Sequence, residues 1–148
     1  VTDEDIVELE KTSLKFLVNL ETLVFGNNFN QYLDDSLYDL RKLQTLIFGD
    51  YFNTDLRGSL STLQNLQTLT FGKDFNNLGK YEDGESYEFK HPFYSLISLE
   101  TLTFGQNFSD YMYDNFLDEF DKLKTNQLKN IKTIIIDGEV DYDSNDKN

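Results

Sequence analysis

The sequence predicts an α/β solenoid of about five coils. One short parallel strand per coil would form a sheet on the concave face, and helical or 3-10 turns would form the convex face. Three observations carry this reading. A segment Leu-x-Thr-Leu-x-Phe-Gly recurs four times in 148 residues. Within each copy, apolar residues alternate with a period of two, as along a strand whose alternate side chains enter a core. Upstream of each copy, leucines stand three apart, which suits a helical or 3-10 turn and not a pleated strand.

The copies read Leu20-Glu21-Thr22-Leu23-Val24-Phe25-Gly26, Leu43-Gln44-Thr45-Leu46-Ile47-Phe48-Gly49, Leu66-Gln67-Thr68-Leu69-Thr70-Phe71-Gly72 and Leu99-Glu100-Thr101-Leu102-Thr103-Phe104-Gly105. A decayed fifth copy is Ile131-Lys132-Thr133-Ile134-Ile135-Ile136-Asp137. From Leu23 to Leu46 to Leu69 the period is 23 residues, then 33 to Leu102 and 32 to Ile134. Two insertions therefore interrupt an otherwise strict repeat. In each strand Leu and Phe would point inward, while Thr and a β-branched neighbour would point outward. The glycine after the strand is expected to let the chain turn sharply away from the sheet. A second Phe follows, and after it Asn30, Asn53, Asn76 or Ser109, expected at a bend where a short polar side chain bonds to nearby backbone. One strand and one turn cannot bury their apolar side alone, so stacked neighbours are required.

Composition narrows the function. Lys and Arg total 13 against 27 Asp and Glu, a net charge of −14 that repels phosphate backbones, so nucleic acid is not an expected partner. Aromatic residues make up 15%, enough apolar area to oppose the disorder such a charge would favour. With no Cys there are no disulfides, thiolate metal sites or cysteine nucleophiles. The longest aliphatic run, Ile134-Ile135-Ile136, is far shorter than the ~20 apolar residues that span a bilayer, and no membrane insertion is expected.

The run from Leu20 to Asn30, Leu-x-x-Leu-x-Phe-Gly-x-x-Phe-Asn, resembles the FNIP form of the leucine-rich repeat. The 23-residue period and the apolar positions Leu46, Phe48, Phe52, Leu56, Leu60, Leu63 and Leu66 also resemble the BspA-like leucine-rich repeats of microbial surface proteins. The resemblance covers roughly residues 13–137 and departs from common leucine-rich repeats at the ladder position, which holds Asn28, Tyr51, Asp74 and Asn107. FNIP resemblance implies an intracellular adaptor. BspA-like resemblance implies an adhesive protein, at the cell surface or secreted, and this localisation is favoured over the cytoplasm.

The whole chain, 1–148, is read as one domain: an N-terminal cap over 1–12, repeats over 13–137 and an acidic tail over 138–148. Ile6 and Leu9 suit a short capping helix. The first insertion, near 77–91, carries Tyr81, Tyr87 and several acids and reads as an exposed loop beside the sheet face. His91 is the only histidine, and without a second His or a Cys it is expected to be structural or on the surface, not a metal ligand or base. In the second insertion, 109–127, Phe116, Leu117, Phe120 and Leu123 recur with helical spacing, with Asp114 or Asn115 as N-cap and Lys122 and Lys124 near the end. Its apolar side is expected on the convex face or over the last coil. Asp141-Tyr142-Asp143-Ser144-Asn145-Asp146 places oxygens at alternate positions, as a calcium loop begins, but Asp146 stands where that loop needs Gly. A solvated tail is expected there, and no metal or cofactor.

Neither a Ser-His-Asp set nor a phosphate-cradling loop is visible, and no catalytic residue is assigned. The function expected is that of a non-catalytic protein-interaction module. The partner-binding residues would be Thr22, Val24, Thr45, Ile47, Thr68, Thr70, Thr101 and Thr103 on the concave face, with Tyr81 and Tyr87 from the adjoining loop. The partner is a protein, and the chain is a monomer or weakly self-associating. A self-assembling scaffold subunit is the alternative. A carbohydrate-active parallel β-helix is disfavoured, because half of each coil has a spacing of three and the glycine follows a single strand.

Overall fold

A computed structural model describes residues 14–78, 91–108, 120–125 and 127–146. Six strands form one sheet in sequence order: β1 (Thr22–Val24), β2 (Thr45–Ile47), β3 (Thr68–Thr70), β4 (Thr101–Phe104), β5 (Thr133–Ile136) and β6 (Glu139–Asp143). β1 to β5 are parallel and pair with no offset between repeats: Leu23 lies beside Leu46, Leu46 beside Leu69, Leu69 beside Leu102 and Leu102 beside Ile134. The sequence repeat thus becomes a spatial repeat, with equivalent residues in columns. Insertions of different length leave the columns unbroken because they enter between strands.

The strands begin where the peptide before each Thr offers one carbonyl to two donors. Glu21 O accepts the N–H groups of Gln44 (2.8 Å) and Thr45 (3.0 Å), and Gln44 O accepts those of Gln67 (2.8 Å) and Thr68 (3.0 Å). Gln67 O and Glu100 O repeat the arrangement toward β4 and β5. The leucines spaced by three make consecutive turns with 3-10-type bonds: the N–H of Leu40 to Leu37 O and of Leu43 to Leu40 O, both 3.0 Å, recur at Leu63 and Leu66 and at Leu96 and Leu99. These turns put Leu37, Leu40, Leu43, Leu60, Leu63, Leu66, Leu96 and Leu99 completely inside.

Against them pack two columns of phenylalanine. Within a repeat Phe48 stacks on Phe52 at 4.1 Å and Phe71 on Phe75 at 3.9 Å. Between repeats Phe25 stacks on Phe48 at 5.3 Å, Phe48 on Phe71 at 5.4 Å and Phe71 on Phe104 at 5.5 Å. Each such ring removed from water contributes roughly 1.5–3 kcal/mol by area, and the ring pairs somewhat more.

The glycines after the strands have a different cause from the one expected. Among the described residues Gly138 is the glycine with positive φ, so Gly49, Gly72 and Gly105 are not there for a left-handed turn. They are there because backbone passes against backbone: a Cβ at Gly49 would stand 2.5 Å from Gly26 O, one at Gly72 2.3 Å from Gly49 O, and one at Gly105 2.2 Å from Gly72 O.

The Asn column likewise bonds further than expected, to the next repeat instead of to its own bend. Asn30 Oδ1 accepts the Asn53 N–H at 2.9 Å and the Thr54 hydroxyl at 2.8 Å, and Asn53 Oδ1 accepts the Asn76 N–H at 2.8 Å. A parallel ladder runs beside it, Asn27 Oδ1 accepting the Asp50 N–H (3.1 Å) and Asp50 Oδ1 that of Lys73 (3.3 Å).

The chain after Asp137 departs from the expected solvated tail. Ile136 and Glu139 are joined by Asp137 and Gly138, with φ of 49° and 78°, and β6 folds back antiparallel on β5. Two central residues with positive φ match the right-handed twist of the flanking strands, and Asp-Gly is a preferred pair for that turn. The register slips once, with Asp141 passed over between Val140 opposite Ile135 and Tyr142 opposite Ile134.

Of the second insertion, residues 120–125 are helical, and Phe120 and Leu123 are buried as the apolar pattern requires. Phe120 meets Tyr142 of β6 edge to face at 5.4 Å, with Lys124 Nζ lying 5.1 Å from the Tyr142 ring centre. This helix end covers the last strands. The expected start of the helix, with Asp114, Asn115, Phe116 and Leu117, lies outside the described residues, as does the expected N-terminal cap over 1–12.

Candidate interaction surface

With Leu23, Leu46, Leu69, Leu102 and Ile134 buried at the centre of each strand, the flanking residues must face the other way. They form two columns on the outer side of the sheet, Thr22, Thr45, Thr68, Thr101 and Thr133 beside Val24, Ile47, Thr70, Thr103 and Ile135. Thr22 and Val24 are exposed and the others half-buried by their neighbours in the column. The eight sheet residues expected to bind a partner are therefore brought together on one accessible face without a charged side chain among them. On β6 the columns continue as Asp143, opposite Thr133, and Val140, opposite Ile135 and 61% exposed.

One rim of this face was not expected to matter. The residue before each Thr and the one two positions earlier line an open depression of about 210 Å³, formed by Glu21, Lys42, Gln44, Asn65, Gln67 and Ser98. Lys42 Nζ donates to Asn19 Oδ1 at 2.7 Å and Asn65 Nδ2 to Arg41 O at 2.7 Å, so the rim is tied repeat to repeat. Its sequence signal was the polar residue at the variable position of Leu-x-Thr, which recurs as Glu, Gln, Gln and Glu. The other expected contributors, Tyr81 and Tyr87, lie outside the described residues.

His91 is buried. Its Nδ1 accepts the Phe93 N–H at 3.1 Å, and its ring lies edge-on to Phe93 at 5.0 Å. Burial lowers its pKa from 6.5 to about 4, because an imidazolium there would lose its hydration. The neutral ring is thus a structural acceptor. With the folded pKa below the unfolded one, the stabilisation is complete above pH 6.5 and is lost as the pH falls toward about 4, where the unfolded chain binds a proton that the folded chain refuses. The loss in that window approaches about 3 kcal/mol. Urea titrations at pH 7 and pH 4.5 should show it, and His91→Asn, which keeps an acceptor but does not titrate, should flatten the dependence. An equal pH dependence in both proteins would assign the effect to the carboxylates.

Among the described residues no group of three or more His, Asp or Glu is placed to hold a metal ion, and no helix is long and apolar enough to cross a membrane. Comparison with known proteins finds no match for this chain, whether with family models, curated proteins or solved structures.

Proposed function

We propose that the chain is a leucine-rich-repeat solenoid acting as a non-catalytic module that binds a protein partner through the outer face of its sheet. The observation that supports this most directly is the pair of columns from Thr22 to Ile135, a continuous face without charge on a chain of net charge −14. Interface centres are depleted of charge relative to the rest of a protein surface, and a rim of amides and hydroxyls, here Gln44, Asn65, Gln67 and Ser98, supplies directional bonds around such a centre. The strands hold these side chains on a rigid backbone, so little conformational freedom is lost when a partner docks.

The test replaces Thr45, Thr68 and Thr101 together by Lys. These side chains point away from the core, and the variant should keep the far-ultraviolet circular dichroism of the native chain. Three ammonium groups at the centre of the face should weaken a partner captured by the native chain at least about tenfold. Undiminished capture by a folded variant would move the binding site off the sheet.

A further inference from the structure

We infer that Asn107 is an acceptor site for N-linked glycosylation. The inference is independent of the partner proposed for the sheet face.

Among the asparagines of the sequence, Asn107 alone is followed two places on by Ser or Thr, with a residue other than Pro between them: Asn107-Phe108-Ser109. An Asn with a hydroxyl residue at that spacing is what the transferase of N-linked glycans reads. The triplet arises through a departure from the repeat. Its equivalents are Asn28-Phe29-Asn30, Tyr51-Phe52-Asn53 and Asp74-Phe75-Asn76, and none of them is an acceptor. In the third place Asn30 and Asn53 bind the next repeat by accepting the N–H groups of Asn53 and Asn76. The fourth copy carries Ser in the place of this framework residue, and the substitution completes the acceptor triplet.

The folded turn presents the acceptor to solvent. Asn107 follows β4 in a turn and is exposed, while Phe108 is buried and stacks on Phe104 at 4.0 Å. The Asn107 N–H donates to Lys73 O at 2.9 Å, and Asn107 Nδ2 donates to Asp74 Oδ1 at 2.8 Å. A side-chain amide has two N–H groups. Glycosylation consumes one and leaves the other for Asp74, so this bond between repeats is kept. The donor belongs to the class of oligosaccharides carried on a lipid pyrophosphate. Its anomeric carbon bonds to Nδ2, the bond from that carbon to the pyrophosphate oxygen breaks, the lipid pyrophosphate leaves with the electron pair, and the displaced amide proton passes to a base of the transferase. Asn107 stands beyond the carboxyl end of β4, whereas Gln44, Gln67 and Ser98 precede the amino ends of their strands. The glycan and the polar rim are thus at opposite ends of the strands.

The test secretes the full chain from a eukaryotic cell behind a cleavable leader. Its mass is measured before and after an amidase that releases N-linked glycans and converts the glycosylated Asn to Asp. The native chain should be heavier by one glycan, lose that mass on treatment, and show the conversion at position 107 alone. Ser109→Thr, which keeps a hydroxyl, should behave in the same way. Asn107→Gln and Ser109→Ala should be secreted at the bare mass of the chain with native circular dichroism. The inference is overturned if the native chain is secreted at its bare mass, or if the added mass persists in Asn107→Gln. Retention of the native chain in the cell without a glycan would overturn it as well.

Discussion

Phe71→Ala is expected to destabilise the protein by on the order of 4 kcal/mol, measured as a shift of the urea midpoint at unchanged slope. Phe71 is at the crossing of the two aromatic columns: it stacks on Phe75 within its own repeat at 3.9 Å, on Phe48 at 5.4 Å and Phe104 at 5.5 Å on either side, and meets Phe93 at 6.3 Å. Removing the ring takes away its own burial and leaves a void bounded by side chains that are fixed from the far side and do not collapse inward. Phe16→Ala is the control. At 83% exposure that ring has little burial to lose, and its removal should change stability by less than about 0.5 kcal/mol. Equal effects of the two substitutions would mean that the aromatic columns do not carry the core. A double mutant with Phe75→Ala should cost less than the sum of the singles, since the second cavity merges with the first.

Gly72→Val should cost a comparable amount, on the order of 4 kcal/mol, although the φ of this glycine is ordinary. The Cβ of any larger residue would stand 2.3 Å from Gly49 O and 2.5 Å from Gly49 C, both backbone atoms already held by the sheet on one side and by the Asn27 and Asp50 ladder on the other. No side-chain rotation relieves that contact. The repeats must part, and with them the Phe48 and Phe71 rings. Gly58→Ala gives the contrast within one molecule: a Cβ there meets nothing within 4 Å, and the substitution should be neutral or stabilise by up to about 1 kcal/mol through the unfolded chain. If Gly72 tolerates Val as Gly58 tolerates Ala, the close approach of the repeats is wrong.

The strands were legible because an alternation of inward Leu and Phe with outward Thr survives in four copies, and with Ile in both inward places in the fifth, and a parallel array adds nothing that the period does not already contain. The face proposed for binding was legible for the same reason. What escaped was of two kinds. The glycines and asparagines were assigned to local turns because a single chain read linearly shows only neighbours along the chain. Their real partners are 23 or, across the first insertion, 33 residues away, and Gly72 is crowded by Gly49 in a way that no property of Gly72 itself announces. The β6 hairpin was misread for another reason. Asp137-Gly138 is a strong turn signal but was not read as one: Asp137 closed the decayed fifth repeat, and Asp141, Asp143 and Asp146 marked a solvated stretch, since an acidic stretch usually marks chain in water. The strand forms because Tyr142 finds Phe120, and that contact joins two segments whose proximity no periodicity encodes. Lys42, Asn65 and Ser98 on the rim depend in the same way on neighbours in space.

The carbonyls that open each strand have a dynamic consequence. Gln44 O holds the amides of both Gln67 and Thr68, Gln67 O those of Glu100 and Thr101, and each link joins one repeat only to the next. The Thr68 amide of β3 is therefore released only when its own repeat separates from the one before it, whereas the flanking segments can come away while the middle stays closed. Opening runs inward from the ends, and β2 to β4 are the last to exchange their protons with water. The most durable stretch of backbone thus lies directly beneath Thr45, Thr68 and Thr101, so a partner gripping these residues would hold the part of the chain that persists when the rest has begun to fray.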